Sequence, residues 1–129
     1  MIKDIVERFM QAKPALEERL KEEHPGTYEA LVRLVMQAIN PGEQSGFPDP
    51  DRIVEIDHGD WQGTVVFVVG EAGYQPNTYW YVRIDYGSCS ACDTLQGIQG
   101  YDDNPPTDEQ VRQYMTLALH IVQRMKVME

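Results

Sequence analysis

The segment 64-TVVFVV-69 decides the fold class, because it is apolar on both faces and rich in β-branched residues. This composition predicts a strand in the centre of a sheet. The segments 52-RIVEIDH-58 and 78-TYWYVRIDY-86 lie on either side of it, and both show the alternation of a half-buried strand. The connections between the three segments are short, which predicts an antiparallel β-meander over residues 52–86.

Two amphipathic helices are predicted before the meander, within a helical segment over residues 1–40. Apolar residues recur at helical spacing over residues 2–12 and again over residues 28–39. The first run places a single apolar stripe on its helix: Ile2, Ile5, Val6, Phe9 and Met10. Pro14 follows this run, and we expect it to kink the helix or to begin a new turn, because proline fits poorly inside a helix.

A long helix is predicted after the meander. Thr107 and Gln110 have the spacing of a capping box, and apolar residues recur at helical spacing beyond them, so this helix is expected over residues 107–127. A similar S-x-x-D spacing that starts at Ser90 predicts a short helix over residues 88–97.

Length and element order together predict a single α+β domain over residues 1–129. In this fold the N-terminal helices and the long C-terminal helix pack against a small antiparallel sheet of three strands or slightly more. Acids outnumber bases 21 to 11, and the formal net charge of −10 disfavours direct contact with nucleic-acid phosphates or with an anionic membrane surface. The charged N-terminus lacks the apolar stretch of a signal peptide, so we expect a cytoplasmic location.

The segment 86-YGSCSACDTLQGIQG-100 contains both cysteines of the chain. Cys89 and Cys92 have the C-x2-C spacing of a zinc knuckle, with His58 as the best-placed third ligand, so zinc is the cofactor that this interpretation implies. The same spacing at a helix N-terminus would suit a redox pair. Two small buried cysteines that pack a tight strand-to-helix junction are the third interpretation.

A catalytic version of the zinc interpretation uses His58 together with the cysteine pair. Zinc deaminases carry H-x-E and later P-C-x-x-C, and this chain has the same order of residues. Asp60 stands where the pattern has glutamate, and Ser88 stands where it has proline. Asp60 or Asp93 could supply the fourth ligand of a structural site. No catalytic constellation is complete, so the sequence favours a binding protein over an enzyme.

Acidic and aromatic residues form a second candidate surface. Acids cluster around the first predicted strand at Asp49, Asp51, Glu55, Asp57 and Asp60. A solvated acidic edge, carboxylates that bind Mg²⁺ or Ca²⁺, and a surface that mimics nucleic-acid phosphates stay open as interpretations. The third predicted strand places Tyr79, Tyr81, Arg83 and Asp85 on one face, where tyrosines are suited to stacking on a partner. The predicted binding residues are Asp57, Asp60, Trp61, Tyr86, Ser88 and Asp93.

The blocks HGD-W-QGT-VVFVV and YWYV-IDYGSCSACDTLQ, between Asp57 and Gln96, resemble a small uncharacterised family of phage and prophage proteins. Members of that family carry a Y-G-S-C-S-x-C-D-T-L-Q block. The resemblance covers roughly the middle third of the chain and leaves out the flanking helices. It implies an accessory protein in the cytoplasm of an infected or lysogenic bacterial host.

These observations lead to one functional hypothesis and one alternative. The hypothesis is a non-enzymatic phage or prophage accessory protein, monomeric or homodimeric, that binds a host or phage protein through its acidic and aromatic surface. Inhibition of a host defence is one role that such binding would serve. The alternative is a metal-binding or ligand-binding protein centred on His58, Cys89 and Cys92.

Overall fold

The computed structural model of the chain describes residues 2–42, 44–57, 64–73, 78–85, 98 and 104–128. Within these residues the protein has three helices and four strands: α1 (Ile2–Glu22), α2 (Tyr28–Ile39), β1 (Pro48–Asp57), β2 (Thr64–Glu71), β3 (Tyr79–Asp85), α3 (Asp108–Arg124) and β4 (Lys126–Val127). The strands form one antiparallel sheet in the order β1-β2-β3-β4. The predicted α+β fold, with N-terminal helices, a small antiparallel sheet and a C-terminal helix, is confirmed.

Strand β2 lies inside the sheet, as its composition predicts, and pairs with β1 on one side and β3 on the other. Its odd-numbered residues Val65, Phe67 and Val69 are at most 2% exposed and belong to the same buried core as the helices. Val66 and Val68 point to the opposite face and are half-buried. The helices therefore cover one face of the sheet in the described part of the chain.

The core is built from the apolar stripes of the three helices and the covered face of the sheet. Its large, fully buried side chains include Ile5, Phe9, Leu16, Leu20, Leu31, Met36, Ile39, Phe67, Trp80, Tyr114 and Ile121. The sequence also assigned Met10 to the first apolar stripe, but this side chain is 50% exposed. It lies on the outer edge of α1, one position beyond the buried Phe9.

Helix α1 continues through Pro14 and ends at Glu22. A proline inside a helix removes one backbone hydrogen bond, and the carbonyl that loses it here belongs to Met10, four residues earlier. Both residues are exposed to solvent, so water can satisfy that carbonyl and the interruption costs little. The helix therefore does not need to end where the sequence pattern changes.

Strand β1 begins at Pro48, earlier than the predicted start at residue 52. Its pairing with β2 is irregular between Pro48 and Ile53. β1 forms an edge of the sheet, where a proline is tolerated because one side of the strand has no ladder to complete. Pairing with a distant strand, and not local composition, extends β1 into the loop.

Helix α3 begins with the predicted capping box. Thr107 Oγ1 accepts a hydrogen bond from the Gln110 backbone N–H at 3.2 Å, and Gln110 Oε1 accepts one from the Thr107 N–H at 2.9 Å. The helix ends at Arg124, and Met125 takes an extended conformation with its side chain 3% exposed. Lys126 and Val127, which the sequence placed in the helix, instead pair with β3.

His24 connects the turn after α1 to helix α3. Its Nδ1 lies 2.6 Å from the Tyr114 hydroxyl oxygen, and its Nε2 lies 2.9 Å from the carbonyl oxygen of Asn104. A carbonyl oxygen can only accept, so the neutral ring carries its proton on Nε2 and accepts at Nδ1 from the Tyr114 hydroxyl. Tyr114 is fully buried, and burial raises its pKa to about 12.

Two sequence expectations concern the rest of the chain. The short helix predicted over residues 88–97 lies outside the described residues. Among the residues that the structure describes, no helix is long and apolar enough to cross a membrane.

Candidate functional site

The sheet face that points away from the helices is the candidate functional site, and we name it the open face. Its members among the strand residues whose exposure the structure describes are Arg52, Val54, Ile56, Val66, Val68, Gly70, Tyr79, Tyr81, Arg83 and Lys126. Val54 is 58% exposed, Tyr79 is 42% exposed and Ile56 is 38% exposed. Side chains of this size are usually buried, so their exposure on one face is the main unexplained feature of the described surface.

Strand register arranges the open face in cross-strand rows. The longest row crosses all four strands and runs from Val54 through Val68 and Tyr81 to Lys126. The next row joins Ile56, Val66 and Arg83. Residues directly opposite each other on one sheet face are close enough to contact. These two rows are therefore apolar at β1 and β2 and become aromatic and basic toward β3 and β4.

Gly70 makes room for a tyrosine at one end of the open face. A Cβ atom at this position would lie 3.3 Å from Tyr79 Cε1 and 3.4 Å from Arg52 Cβ. The Tyr79 ring and the Arg52 aliphatic chain thus approach the backbone at a position without a side chain. The glycine lets the ring lie across the sheet and widens the apolar surface that the face presents.

Arg52 is held in place by its neighbours. Its guanidinium donates to the backbone carbonyl oxygens of Glu71 and Gly73, each at 2.6 Å, and its Nε lies 3.3 Å from Asp49 Oδ2. Asp49 is only 8% exposed, and its Oδ1 accepts a hydrogen bond from the Asp51 N–H at 2.8 Å. This arrangement secures the start of β1 against the turn after β2. Asp49 and Arg52 therefore stabilise the local structure, and binding a partner through these side chains would break their contacts.

A second arginine engages the next acid in the chain. Arg33 of α2 lies 3.7 Å from Asp51 and 3.1 Å from Glu29, and it donates to the Pro50 carbonyl oxygen at 3.3 Å. Two acids of the predicted acidic cluster, Asp49 and Asp51, therefore face arginines. Most of the described acids in this cluster are therefore paired with a cation. Glu55 is exposed.

A hollow of about 630 Å³ lies at the basic end of the open face, where β3, β4 and the end of α3 meet. The described residues that line it are Tyr81, Arg83, Gln123, Arg124 and Lys126, and they include three cations and no acid. Arg124 and Lys126 make no ion pair with any residue that the structure describes. Polar groups that converge on a concave surface are typical of a binding site.

The residues that the sequence singled out for chemistry lie mostly elsewhere in the chain. His58, Asp60, Trp61, Tyr86, Ser88, Cys89, Cys92 and Asp93 lie outside the described residues. Asp57 ends β1, and the structure describes its backbone but not its side chain. Within the described ranges no group of three or more His, Cys, Asp or Glu residues could hold a metal ion. The zinc, redox and packing interpretations of the cysteine pair stay predictions.

Two of the cations in the hollow escaped sequence analysis. Arg124 and Lys126 were placed inside the C-terminal helix, where residues two apart point in different directions. The buried Met125 between them lies three residues after Val122 and so fits the helical stripe, which is why the pattern continued the helix through it. The end of α3 before Met125 only becomes visible once β3 is known to lie beside residues 126–127.

Comparison with known proteins provides no relative from which a function could be transferred. No protein-family model, no curated protein and no solved structure matches this chain. The open face and its hollow are therefore interpreted from their own geometry and charge.

Proposed function

We propose that this protein acts by binding another protein through the open face of its sheet. The observation that carries the proposal is the exposure of Val54, Ile56 and Tyr79 on one sheet face. Six large apolar side chains are exposed among the described residues. Val54, Ile56 and Tyr79 share the open face, and the others are Met10, Val127 and Met128.

The cost of exposure supports binding over simple solubility. Full burial of a Val or Ile side chain provides roughly 1.5–3 kcal/mol, and side chains that stay about half exposed forgo part of this free energy. Tyrosine is enriched at protein interfaces because a rigid ring offers a large contact area and a hydroxyl that tolerates water. A patch with aliphatic residues at its centre and tyrosines and cations toward one side has the composition of an interface.

The proposal assigns the contact to the aromatic part of the acidic and aromatic surface that the sequence suggests. Asp49 and Asp51 already face Arg52 and Arg33, so recruiting them to a partner would cost these internal contacts. The exposed Glu55 lies on β1 with its side chain toward the helix side of the sheet. These three acids thus border the open face without belonging to it.

The biological setting of the proposal comes from the resemblance to phage and prophage proteins. An accessory protein made in an infected bacterium meets host proteins in the cytoplasm, and a binding surface is sufficient to inhibit one of them. We therefore include inhibition of a host defence protein in the proposal. The resemblance is the support for this part, and the open face is the support for binding.

Substitution of the open face tests the proposal without disturbing the sheet. In the variant Val54→Thr/Ile56→Thr/Tyr79→Thr each new side chain is β-branched, so the strand propensity is kept while the apolar surface is removed. The tagged protein is expressed in a bacterial host and purified under native conditions, and co-purifying proteins are quantified by mass spectrometry. We expect a partner to be recovered with the unchanged protein and to fall by about tenfold or more with the variant.

Met10→Gln is the matched control for this experiment. It removes a large exposed apolar side chain from α1, on the other side of the molecule, and glutamine has nearly the helix propensity of methionine. The control should recover the partner like the unchanged protein. Equal recovery with the open-face variant, or recovery of no partner together with measured turnover of a small molecule, would contradict the proposal.

A further inference from the structure

The hollow at the basic end of the open face differs in charge from the other two described hollows. One of these lies between α1 and α2 and is lined by Glu22, Glu23 and Glu29 as well as by Arg19 and Arg33. The other lies between α1 and α3, where Lys13, Lys21 and Arg112 alternate with Glu17 and Asp108. Both mix the two signs of charge, as a solvated helical groove does. Among the described residues that line the open-face hollow, all the charged ones are cations.

This separation of charge is unexpected in a chain with nearly twice as many acids as bases. The formal net charge is −10, so three cations with no acid among the described lining residues run against the average composition. Arg124 and Lys126 come from the end of α3 and from β4, whereas Arg83 comes from β3. The fold brings them together from distant parts of the sequence, and the cation side chains of α3 and β4 have no acidic partner in the described residues.

The charges that line the hollow affect a ligand in it more strongly than the net charge of the protein does. At physiological ionic strength the Debye length is about 8 Å, so acids on the far side of the molecule are largely screened from the hollow. A ligand within the hollow would lie beside the three cations, Tyr81 and Gln123. A long polyanion would also pass over the acidic remainder of the surface, and a short acidic segment would not.

We infer that the hollow binds an acidic segment of the partner protein, with Asp or Glu carboxylates placed between Arg124, Lys126 and Arg83. This inference rests on the proposed function, because the hollow continues the open face at Tyr81 and Lys126. The apolar rows of β1 and β2 then contact aliphatic side chains of the same segment. Arginine suits this role because its guanidinium can pair with both oxygens of a carboxylate.

A defined pair of peptides tests the inference. The acetylated peptide EVETEVE carries acids and aliphatic residues in alternation, and QVQTQVQ is its neutral counterpart of nearly the same shape. Each is titrated into the isotopically labelled protein up to low millimolar concentration, and the backbone amide signals are followed by NMR. We expect saturable shifts at Tyr81, Arg83 and Lys126 with EVETEVE, and roughly tenfold weaker binding of QVQTQVQ, since several exposed ion pairs are lost.

Charge-reversal variants test whether the binding of EVETEVE depends on the cations of the hollow. Arg124→Glu/Lys126→Glu should weaken the binding of EVETEVE by about tenfold or more and improve the relative binding of QVQTQVQ. Lys3→Glu/Lys13→Glu changes the net charge by the same amount on α1, away from the hollow, and should leave the binding of EVETEVE within about twofold, because distant charges are screened. Thermal unfolding confirms that both variants are folded.

Four results would overturn the inference. They are equal binding of the two peptides, no saturable shift with either peptide, stronger shifts of the same signals by single-stranded oligothymidylate, and shifts that follow protein concentration alone. The third would assign the hollow to nucleic-acid phosphates, and the fourth to a second copy of this chain. If both peptides bind equally at Val54 and Tyr79, the acidic preference is wrong while binding by the open face stands.

Discussion

Removing the Tyr114 hydroxyl, which is hydrogen-bonded to His24, is predicted to lower the free energy of unfolding at neutral pH and to raise it at alkaline pH. Tyr114→Phe removes the hydroxyl that lies 2.6 Å from His24 Nδ1 and leaves the ring in the core. At neutral pH the variant loses one buried hydrogen bond and should be less stable than the unchanged protein by about 1 kcal/mol.

At alkaline pH the order of stability should reverse. Burial disfavours the charged phenolate and raises the pKa of Tyr114 from 10.0 to about 12 in the folded protein. The unfolded chain therefore loses this proton first, and the stabilising contribution of the group is present below about pH 10 and lost as the pH rises toward 12. The slope is about 1.4 kcal/mol per pH unit, so the unchanged protein and Tyr114→Phe should be equally stable near pH 10.7 and the variant should be more stable by about 1 kcal/mol at pH 11.5.

Urea unfolding at a series of pH values measures this crossing, with far-ultraviolet circular dichroism as the signal. His24→Ala is the control, because it breaks the same hydrogen bond from the other side, together with the exposed bond to the Asn104 carbonyl, and keeps the buried phenol. It should be less stable by about 1 kcal/mol at neutral pH and should then follow the alkaline decline of the unchanged protein. A difference between Tyr114→Phe and the unchanged protein that stays constant up to pH 11.5 would refute the burial argument.

Two further predictions concern local structure. Asn40 is 1% exposed, and its side-chain amide satisfies the N–H and carbonyl of Gln44 and the carbonyl of Pro48 at the start of β1. Asn40→Ala should therefore lower the free energy of unfolding by about 3 kcal/mol in urea denaturation, and a loss below about 1 kcal/mol would show that water replaces the amide. Thr107→Ala removes the cap of α3 and should cost about 1 kcal/mol in the same assay, whereas Thr116→Ala, which removes an exposed hydroxyl in the middle of that helix, should be nearly neutral; equal effects of the two alanines would contradict the role of the cap.

The sequence predicted the parts of the fold that depend on residues close together in the chain. The apolar run 64–69 predicts an inner strand because residues buried on both faces need no polar alternation. The Thr107 cap is visible because its partner, Gln110, stands at a fixed spacing. The alternation that separates Tyr79, Tyr81 and Arg83 from their neighbours also held, because successive side chains of a strand point to opposite faces.

Contacts between distant residues determine the features that sequence reasoning missed. The start of β1 at Pro48 depends on pairing with Glu71, which no local pattern records. β4 consists of Lys126 and Val127, too few residues for a periodic signal, and it exists because α3 ends beside β3. The hollow joins residues more than 40 positions apart in the chain, from Tyr81 to Lys126, so the sequence alone could not assemble it.

The sequence likewise predicted one part of the candidate site and missed another. The sequence placed the tyrosines of β3 on one face and suggested contact with a partner, and that face is exposed. It also assigned an acidic character to the surface, because counting charges does not reveal that Arg33 and Arg52 lie beside Asp51 and Asp49. The cysteine motif remains a sequence-based prediction, and its residues lie outside the described part of the chain.

The most direct test of binding by the open face is site-specific photo-cross-linking. The photoreactive amino acid benzoylphenylalanine replaces Tyr79 on the open face in one protein and Met10 on α1 in another, since both positions are large and exposed. Each protein is irradiated with the partner identified by co-purification, and the adducts are mapped by mass spectrometry. Binding through the open face predicts an adduct from position 79 and none from position 10; an adduct from position 10 alone would contradict it.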